Sequence, residues 1–279
     1  MQDLKIFKQI SAIKNFVKEA KKLNKIIAFV PTMGSLHRGH ITLINNAKKN
    51  ADIVIVSIFV NKAQFNDIKD YELYPQNLES DIKMLEEANV DALFYPSTSE
   101  IYDENFSFKI IPTDMVDCLC AKDRVGHFDG VALIITKLFN IVNPHFAYFG
   151  EKDFQQLAII KKLVKDLNFD LEIFGVETVR ESSGLAMSSR NQRLSKVGKI
   201  KASMLYKILN EIKINPQIIE EKKRELLANG FEKIDYLEIR NEDNLKLNMN
   251  LFSSQKRRIF IAVYLEGVRL IDNLSLNLI

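Results

Sequence analysis

Ile26-Ile-Ala-Phe-Val30-Pro31-Thr-Met33-Gly34-Ser35-Leu36-His37-Arg38-Gly39-His40 is the stretch whose reading decides the fold. Residues 26–30 are apolar throughout and read as a short buried strand. Gly34 and Gly39 bracket a turn, after which Ile41, Ile44 and Ala47 recur at helical spacing. A strand that feeds a glycine-containing turn and then a helix start aims unpaired backbone N–H groups and a positive dipole end at one spot. That arrangement suits an anion. Two of the chain's four histidines, His37 and His40, sit in the same turn.

Working outward, residues 7–23 carry apolar side chains at Ile10, Ile13, Phe16, Val17, Ala20 and Leu23, a helical stripe with lysines opposite. Residues 53–60 are β-branched and apolar on both faces, as a central parallel strand requires. Strand, helix and strand make a βαβ unit. Asn61 to Phe65 then lies beyond that strand's carboxyl end, where open α/β sheets bind ligands. Leu78, Ile82 and Leu85 mark a further helix, and residues 91–95 a third strand; residues 106–111 read as a short extra strand. Residues 126–130 read as a turn before an apolar helix over 131–142. Residues 146–149 form another strand, which runs straight into Gly150-Glu151-Lys152-Asp153; a helix and a strand over 170–176 follow.

After Val176 the character changes. Residues 178–191 have little apolar content and two Ser pairs. Helices over 195–214 and 217–229 precede strands over 234–239, 259–265 and 268–271. The expectation is therefore an α/β chain in two domains: a Rossmann-like parallel sheet over 1–177, then a smaller α+β lid domain over 178–279.

Composition excludes several classes of function. The net charge is only +3, with Lys and Glu dispersed, so no nucleic-acid surface is indicated. No apolar run reaches membrane-spanning length, and Met1-Gln-Asp-Leu-Lys lacks the basic-then-apolar pattern of a signal peptide. Cys118 and Cys120, the only cysteines, are too close on a regular element to pair, and they match no zinc-site spacing. A cytoplasmic protein is expected.

The chemistry-bearing residues admit more than one reading. His37 and His40, three apart, suit zinc, a structural hydrogen-bonded pair, or donors to a phosphate. Neither the P-loop nor the dinucleotide glycine pattern occurs. Lys152 is placed for an anion or is a solvated lysine. Met187-Ser188-Ser189-Arg190 can close over a polyphosphate, with forked hydrogen bonds from Arg190, or serve as a polar linker. Asp81 can hold a divalent cation or be a surface acid.

The H-x-G-H turn with a later M-S-S-R loop resembles the HIGH and KMSKS pair of the nucleotidyltransferase superfamily. More narrowly, residues 31–40, 56–61 with Gln64-Phe65, 126–128, 149–156, 184–191 and 269–273 resemble the pantothenate synthetase family, in the family's order. The resemblance implies an AMP-forming ligase that joins (R)-pantoate to β-alanine through pantoyl adenylate, with ATP as co-substrate and Mg²⁺. It also implies a homodimer and no nucleic-acid or membrane partner.

By motif position, it implies that Met33, Gly34, Ser35, Leu36, His37, Arg38, Gly39 and His40 line the ATP site, with His40 as the acid toward departing pyrophosphate. Lys152 is implied as the cation at the phosphates, and Ser188, Ser189 and Arg190 as the pyrophosphate clasp. Gly150 and Asp153 are implied at the ribose, with Glu151 also in the ATP site, and the backbone at Val179 and Met187 at adenine. Met33, Asn61, Gln64 and Gln156 are implied as the pantoate pocket, with Gln64 also near β-alanine and Asp81 the protein partner of Mg²⁺. The chain departs from the family pattern at Lys62 and Ala63, where Pro is common, and at Gln76 and Asn77, where Arg and Thr are usual. Cys120 stands where Glu is typical. These departures bear on loop closure and dimer contacts.

Overall fold

The computed structural model describes residues 3–250 and 254–276. The chain forms two compact units. The first comprises Met1–Pro112, Gly126–Glu151 and Ile159–Glu177; the second comprises Thr113–Val125, Lys152–Ala158 and Thr178–Ile279.

In chain order the first unit holds β1 (Lys5–Phe7), α1 (Ile10–Lys22), β2 (Ile27–Thr32), α2 (Arg38–Ala47), β3 (Ile53–Ile58), α3 (Ile68–Glu72), α4 (Leu78–Glu87), β4 (Ala92–Phe94) and α5 (Thr98–Ile101). After α6 (Leu119–Asp123), which belongs to the second unit, come α7 (His127–Val142), β5 (Phe146–Gly150), α8 (Phe154–Asp166) and β6 (Glu172–Val176). The strands form one parallel sheet in the order β1-β4-β3-β2-β5-β6. Val54, Ile55 and Val56 are at most 1% exposed, because helices cover a parallel sheet on both faces. Neighbours β2 and β5 lead their connections in opposite directions. The carboxyl ends of those two strands therefore flank a topological switch point, where sheets of this kind bind ligands.

The second unit adds α9 (Lys196–Ala202), α10 (Met204–Ile214), α11 (Ile219–Ala228), β7 (Lys233–Asn241), β8 (Arg257–Leu265) and β9 (Val268–Ser275). Its antiparallel sheet runs β7-β8-β9. Leu205, Ile208, Leu209 and Ile212, one stripe of α10, share a core with Leu237, Ile259, Ile261 and Val263. Leu185 and Leu194 enter the same core and anchor the Ser-Ser-Arg segment between them.

Besides the short helices α3, α5 and α6, which the sequence pattern does not mark, the structure departs from the expected elements in these places. Residues 106–111 form no strand; Phe106 packs on Tyr102 at 5.2 Å, while Phe108 and Ile111 are 76% and 60% exposed. Residues 127–130 are the first turn of α7, not a turn before it, and only Gly126 takes a left-handed conformation, with φ +78°. The helix expected over 195–214 breaks between α9 and α10, where Ser203 Oγ bonds the Ile200 carbonyl and competes with the backbone ladder. Three-residue β1 is not among the expected elements and takes Phe7 from the start of the expected helix; its register on β4 pairs Lys5 with Ala92 and Phe7 with Phe94. Among the described residues no helix is long and apolar enough to cross a membrane.

Candidate active site

The turn after β2 is built by its neighbours as much as by its own sequence. Gly34 has φ +80° and Ser35 φ +51°. A Cβ on Gly34 would press on Asp81 Oδ2 and Ile58 Cγ2 at 3.0 Å, and the left-handed backbone there favours glycine. Asp81, only 2% exposed on α4, accepts the Ser35 N–H at 2.8 Å and the Leu36 N–H at 2.7 Å. Burial pushes its carboxyl above the usual range, and these two donors pull it partly back.

His37 then caps α2. Its Nδ1 accepts the Gly39 N–H at 3.1 Å, and the His37 N–H donates to His40 Nδ1 at 3.2 Å. This is a capping box in which two imidazoles take the roles usually filled by Ser and Glu. The rings lie 4.1 Å apart between centroids. Because each Nδ1 accepts, each neutral ring carries its hydrogen on Nε2.

Asn61, Gln64 and Met33 are brought together in the first unit. Asn61 Nδ2 donates to Gln64 Oε1 at 3.2 Å and to the Gly130 carbonyl at 3.0 Å, and Gln64 Nε2 lies 2.8 Å from Met33 Sδ. A cavity of about 190 Å³ opens beside Met33 and Gly34, lined also by Val60, Tyr71, Gln76 and Tyr95. The departures from the family pattern find local work here. Lys62 Nζ sits 5.9 Å over the Tyr71 ring, and Asn77 caps α4 by accepting the Ser80 N–H at 3.1 Å.

The second unit carries the other set. Lys152 stands in the 3₁₀ turn after β5, its side chain 17% exposed and Nζ 3.7 Å from Asp153 Oδ2; Gln156 lies half-buried on α8. Ser188 Oγ accepts the Arg190 N–H at 3.3 Å and opens the turn Ser189–Arg193. Met187 N–H donates to the Val179 carbonyl at 2.9 Å, so the two positions expected at adenine are paired with each other. Two consecutive buried residues of β9 support these segments. Asp272 grips the Arg180 guanidinium at 2.6 and 2.9 Å, and Asn273 Nδ2 donates to the Lys152 carbonyl at 2.9 Å. Cys120 Sγ, in place of the usual glutamate, meets Tyr236 Oη at 3.0 Å and Arg269 Nη1 at 3.4 Å.

Asp81, expected as the protein partner of Mg²⁺, acts here as the acceptor that shapes the turn. Both its oxygens are engaged with the turn, and among the described residues no three His, Cys, Asp or Glu side chains cluster as a metal site. Three supports were missed in the sequence: Tyr102, whose hydroxyl reaches Asn61 at 3.0 Å, and the Asp272–Asn273 pair. The pair lies inside the 269–273 motif, which gave a signal without a role.

The family profile described as pantoate-beta-alanine ligase matches residues 5–275. The pantothenate synthetase of Carboxydothermus hydrogenoformans is 45% identical over 283 aligned residues, spanning 98% of this chain and 99% of its own. That of Shewanella loihica is 45% identical, spanning 95% and 96%. Among solved structures, pantothenate synthetase from Thermus thermophilus superposes with a TM-score of 0.91 at 36% identity, covering 98% of this chain and 99% of that one. Pantoate-beta-alanine ligase from Francisella tularensis, solved with beta-gamma ATP and beta-alanine, gives 0.87 at 39% identity and 98% of both chains. By its full-length match and these identities, the chain belongs to the pantoate–β-alanine ligase family.

Proposed function

We propose that the chain condenses (R)-pantoate with β-alanine, driven by conversion of ATP to AMP and pyrophosphate. The observation that carries this reading is the similarity from end to end. A carboxylate is a poor acyl donor, so adenylation supplies a leaving group. A pantoate carboxylate oxygen attacks the α-phosphorus, and the bond to pyrophosphate breaks. The amine of β-alanine then attacks the acyl carbon of pantoyl adenylate; the C–N bond forms, the C–O bond to AMP breaks, and the amine gives up a proton.

The first step gathers charge on the departing pyrophosphate, which preorganised donors stabilise. His37 and His40 supply donors of the right kind, since their Nδ1 bonds put the ring hydrogen on Nε2. In this reading His40 donates to the leaving group, Lys152 neutralises phosphate charge, and Ser188, Ser189 and Arg190 hold the pyrophosphate end. Gly150 and Asp153 contact the ribose, Glu151 stands beside them in the ATP site, and the backbone at Val179 and Met187 serves the adenine. Met33, Asn61, Gln64 and Gln156 receive pantoate. Magnesium enters as the counterion of ATP, with no protein carboxylate assigned to it. A cytoplasmic homodimer with residues 178–279 as a separate lid domain completes the proposal.

The test is AMP formation by the purified protein with MgATP. It should require both pantoate and β-alanine. No AMP from the three together refutes the reading, and ATP–pyrophosphate exchange with another acid but none with pantoate would reassign the acceptor.

A further inference from the structure

The pantoate pocket contains a hydrogen-bond relay whose direction is set by one backbone carbonyl. Asn61 is 1% exposed and Gln64 8%, so their amides must satisfy each other and the surrounding chain. The Gly130 carbonyl can only accept, and therefore the Asn61 atom 3.0 Å away must be Nδ2. The opposite atom is then Oδ1, which needs a donor. Tyr102 Oη, at 3.0 Å, is that donor. The second hydrogen on Asn61 Nδ2 goes to Gln64, whose facing atom must be Oε1, at 3.2 Å. Gln64 Nε2 is thereby turned to the Met33 side, against a thioether sulfur at 2.8 Å, a weak acceptor that an oxygen ligand readily displaces.

Two further contacts fix the geometry. His127 Nδ1 bonds the Gln64 carbonyl at 2.7 Å. Gly130 admits the Asn61–Gln64 turn at a distance no side chain permits, since a Cβ there would lie 2.3 Å from the Ala63 carbonyl oxygen. The Tyr102 ring is held by Phe59 at 6.2 Å and Phe106 at 5.2 Å, with Lys137 Nζ 5.5 Å above it. Burial pushes the phenol up to about 12, so it stays a donor across the working range of pH.

We infer that Tyr102 is a positioning residue for the acid substrate. Through Asn61 it locks the amide of Gln64 so that N–H, not C=O, is offered to the pocket, selecting a ligand oxygen that accepts: a hydroxyl or a carboxylate. This rests on the pantoate reading above and adds to it the residue that holds the relay in the orientation the Gly130 carbonyl selects.

Tyr102→Phe keeps the ring and deletes the donor. Steady-state AMP formation, varying pantoate and ATP separately, should show KM for pantoate raised about tenfold, the weight of one buried hydrogen bond left unmade. KM for ATP should stay within about twofold, because a positioning defect confined to the pocket does not reach the nucleotide. This split decides irrespective of any change in melting temperature. Gln64→Glu, nearly isosteric, replaces the donating Nε2 by oxygen and should raise KM for pantoate by more than about tenfold. Unchanged pantoate KM in either variant, or parallel weakening of pantoate and ATP by Tyr102→Phe, overturns the inference. A wild-type protein that makes no AMP removes the pantoate reading and the inference with it, whereas active wild type with a silent Tyr102→Phe removes the inference alone.

Discussion

Asp81→Asn separates a clamp on the opening turn from a metal ligand. The Asp81 oxygens accept from Ser35 and Leu36 at 2.8 and 2.7 Å at a site only 2% exposed. A hydrogen bond to a charged group contributes about 1.5–3 kcal/mol, and a buried donor left unmade costs about 1–3 kcal/mol. Asparagine keeps one acceptor oxygen and turns an N–H toward the other backbone N–H. It also relieves the burial of a charge, which is the dominant influence on this carboxyl. The balance is a loss of about 2 kcal/mol, which in a domain of this size lowers Tm by about 4–8 °C. Differential scanning calorimetry reads the first quantity. AMP formation against Mg²⁺ at fixed ATP reads the second, and there the half-saturating Mg²⁺ should not change. An unaltered Tm together with a several-fold greater Mg²⁺ requirement would refute the clamp and make Asp81 a metal ligand after all.

Lys152→Ala should slow adenylation by about 100-fold or more while Tm holds, since the charge acts mainly in the transition state; a wild-type rate would make this a surface lysine. Gly130→Ala drives a Cβ to 2.3 Å from the Ala63 oxygen and 2.7 Å from the Gln64 nitrogen, both backbone atoms that cannot swing aside. It should cost about 1–3 kcal/mol in a denaturant melt and raise the pantoate KM, and a neutral effect would show that the Asn61–Gln64 turn moves freely. His145, whose Nδ1 accepts the Ile27 N–H, is held below the usual imidazole range by burial and by Lys21. The unfolded chain therefore takes the proton first: the stability is present above about pH 6.5 and is lost as pH falls through the lower folded value. His145→Gln should lose less Tm than wild type between about pH 7.5 and 5.5, a span that brackets the ordinary imidazole value, and parallel curves would count against the assignment.

The fold was legible where local pattern and tertiary burial agree. Residues 53–60 declare a central strand because both faces are apolar, and β3 is buried on both. Residues 106–111 have the same local appeal but no partner strand, and Phe108 and Ile111 stay in solvent; an apolar run alone does not make a sheet. β1 shows the converse, a strand created by its neighbour's unpaired edge. At the site, residue types were readable from motif spacing, whereas the atoms that orient them were not. Nothing in a one-dimensional pattern says that a tyrosine from α5's end donates to Asn61, or that Asp81 spends both oxygens on a turn forty-five residues earlier. Histidine as a helix cap was likewise hidden, because its usual signature is Ser, Thr or Asp.

The Asp272–Asn273 dipeptide carries a consequence for the order in which the protein acquires its chemistry. Its grip on Arg180 spans 92 residues of chain and its bond to Lys152 spans 121. Contacts so distant in sequence must close large loops before they return any stabilisation, so they form late in folding. The first unit's sheet also closes a long loop, since Ile27 and His145 bond across 118 residues. All its strands precede β9 in the chain, however, so the backbone of Lys152 and the Arg180 loop lacks its support until β9 has been made and has docked. During synthesis, the segments around Lys152 and Arg180 are therefore the last of the candidate site to be set. A chain caught before that step has the strands of its first sheet, while the Lys152 and Arg180 segments still lack the partners that hold them.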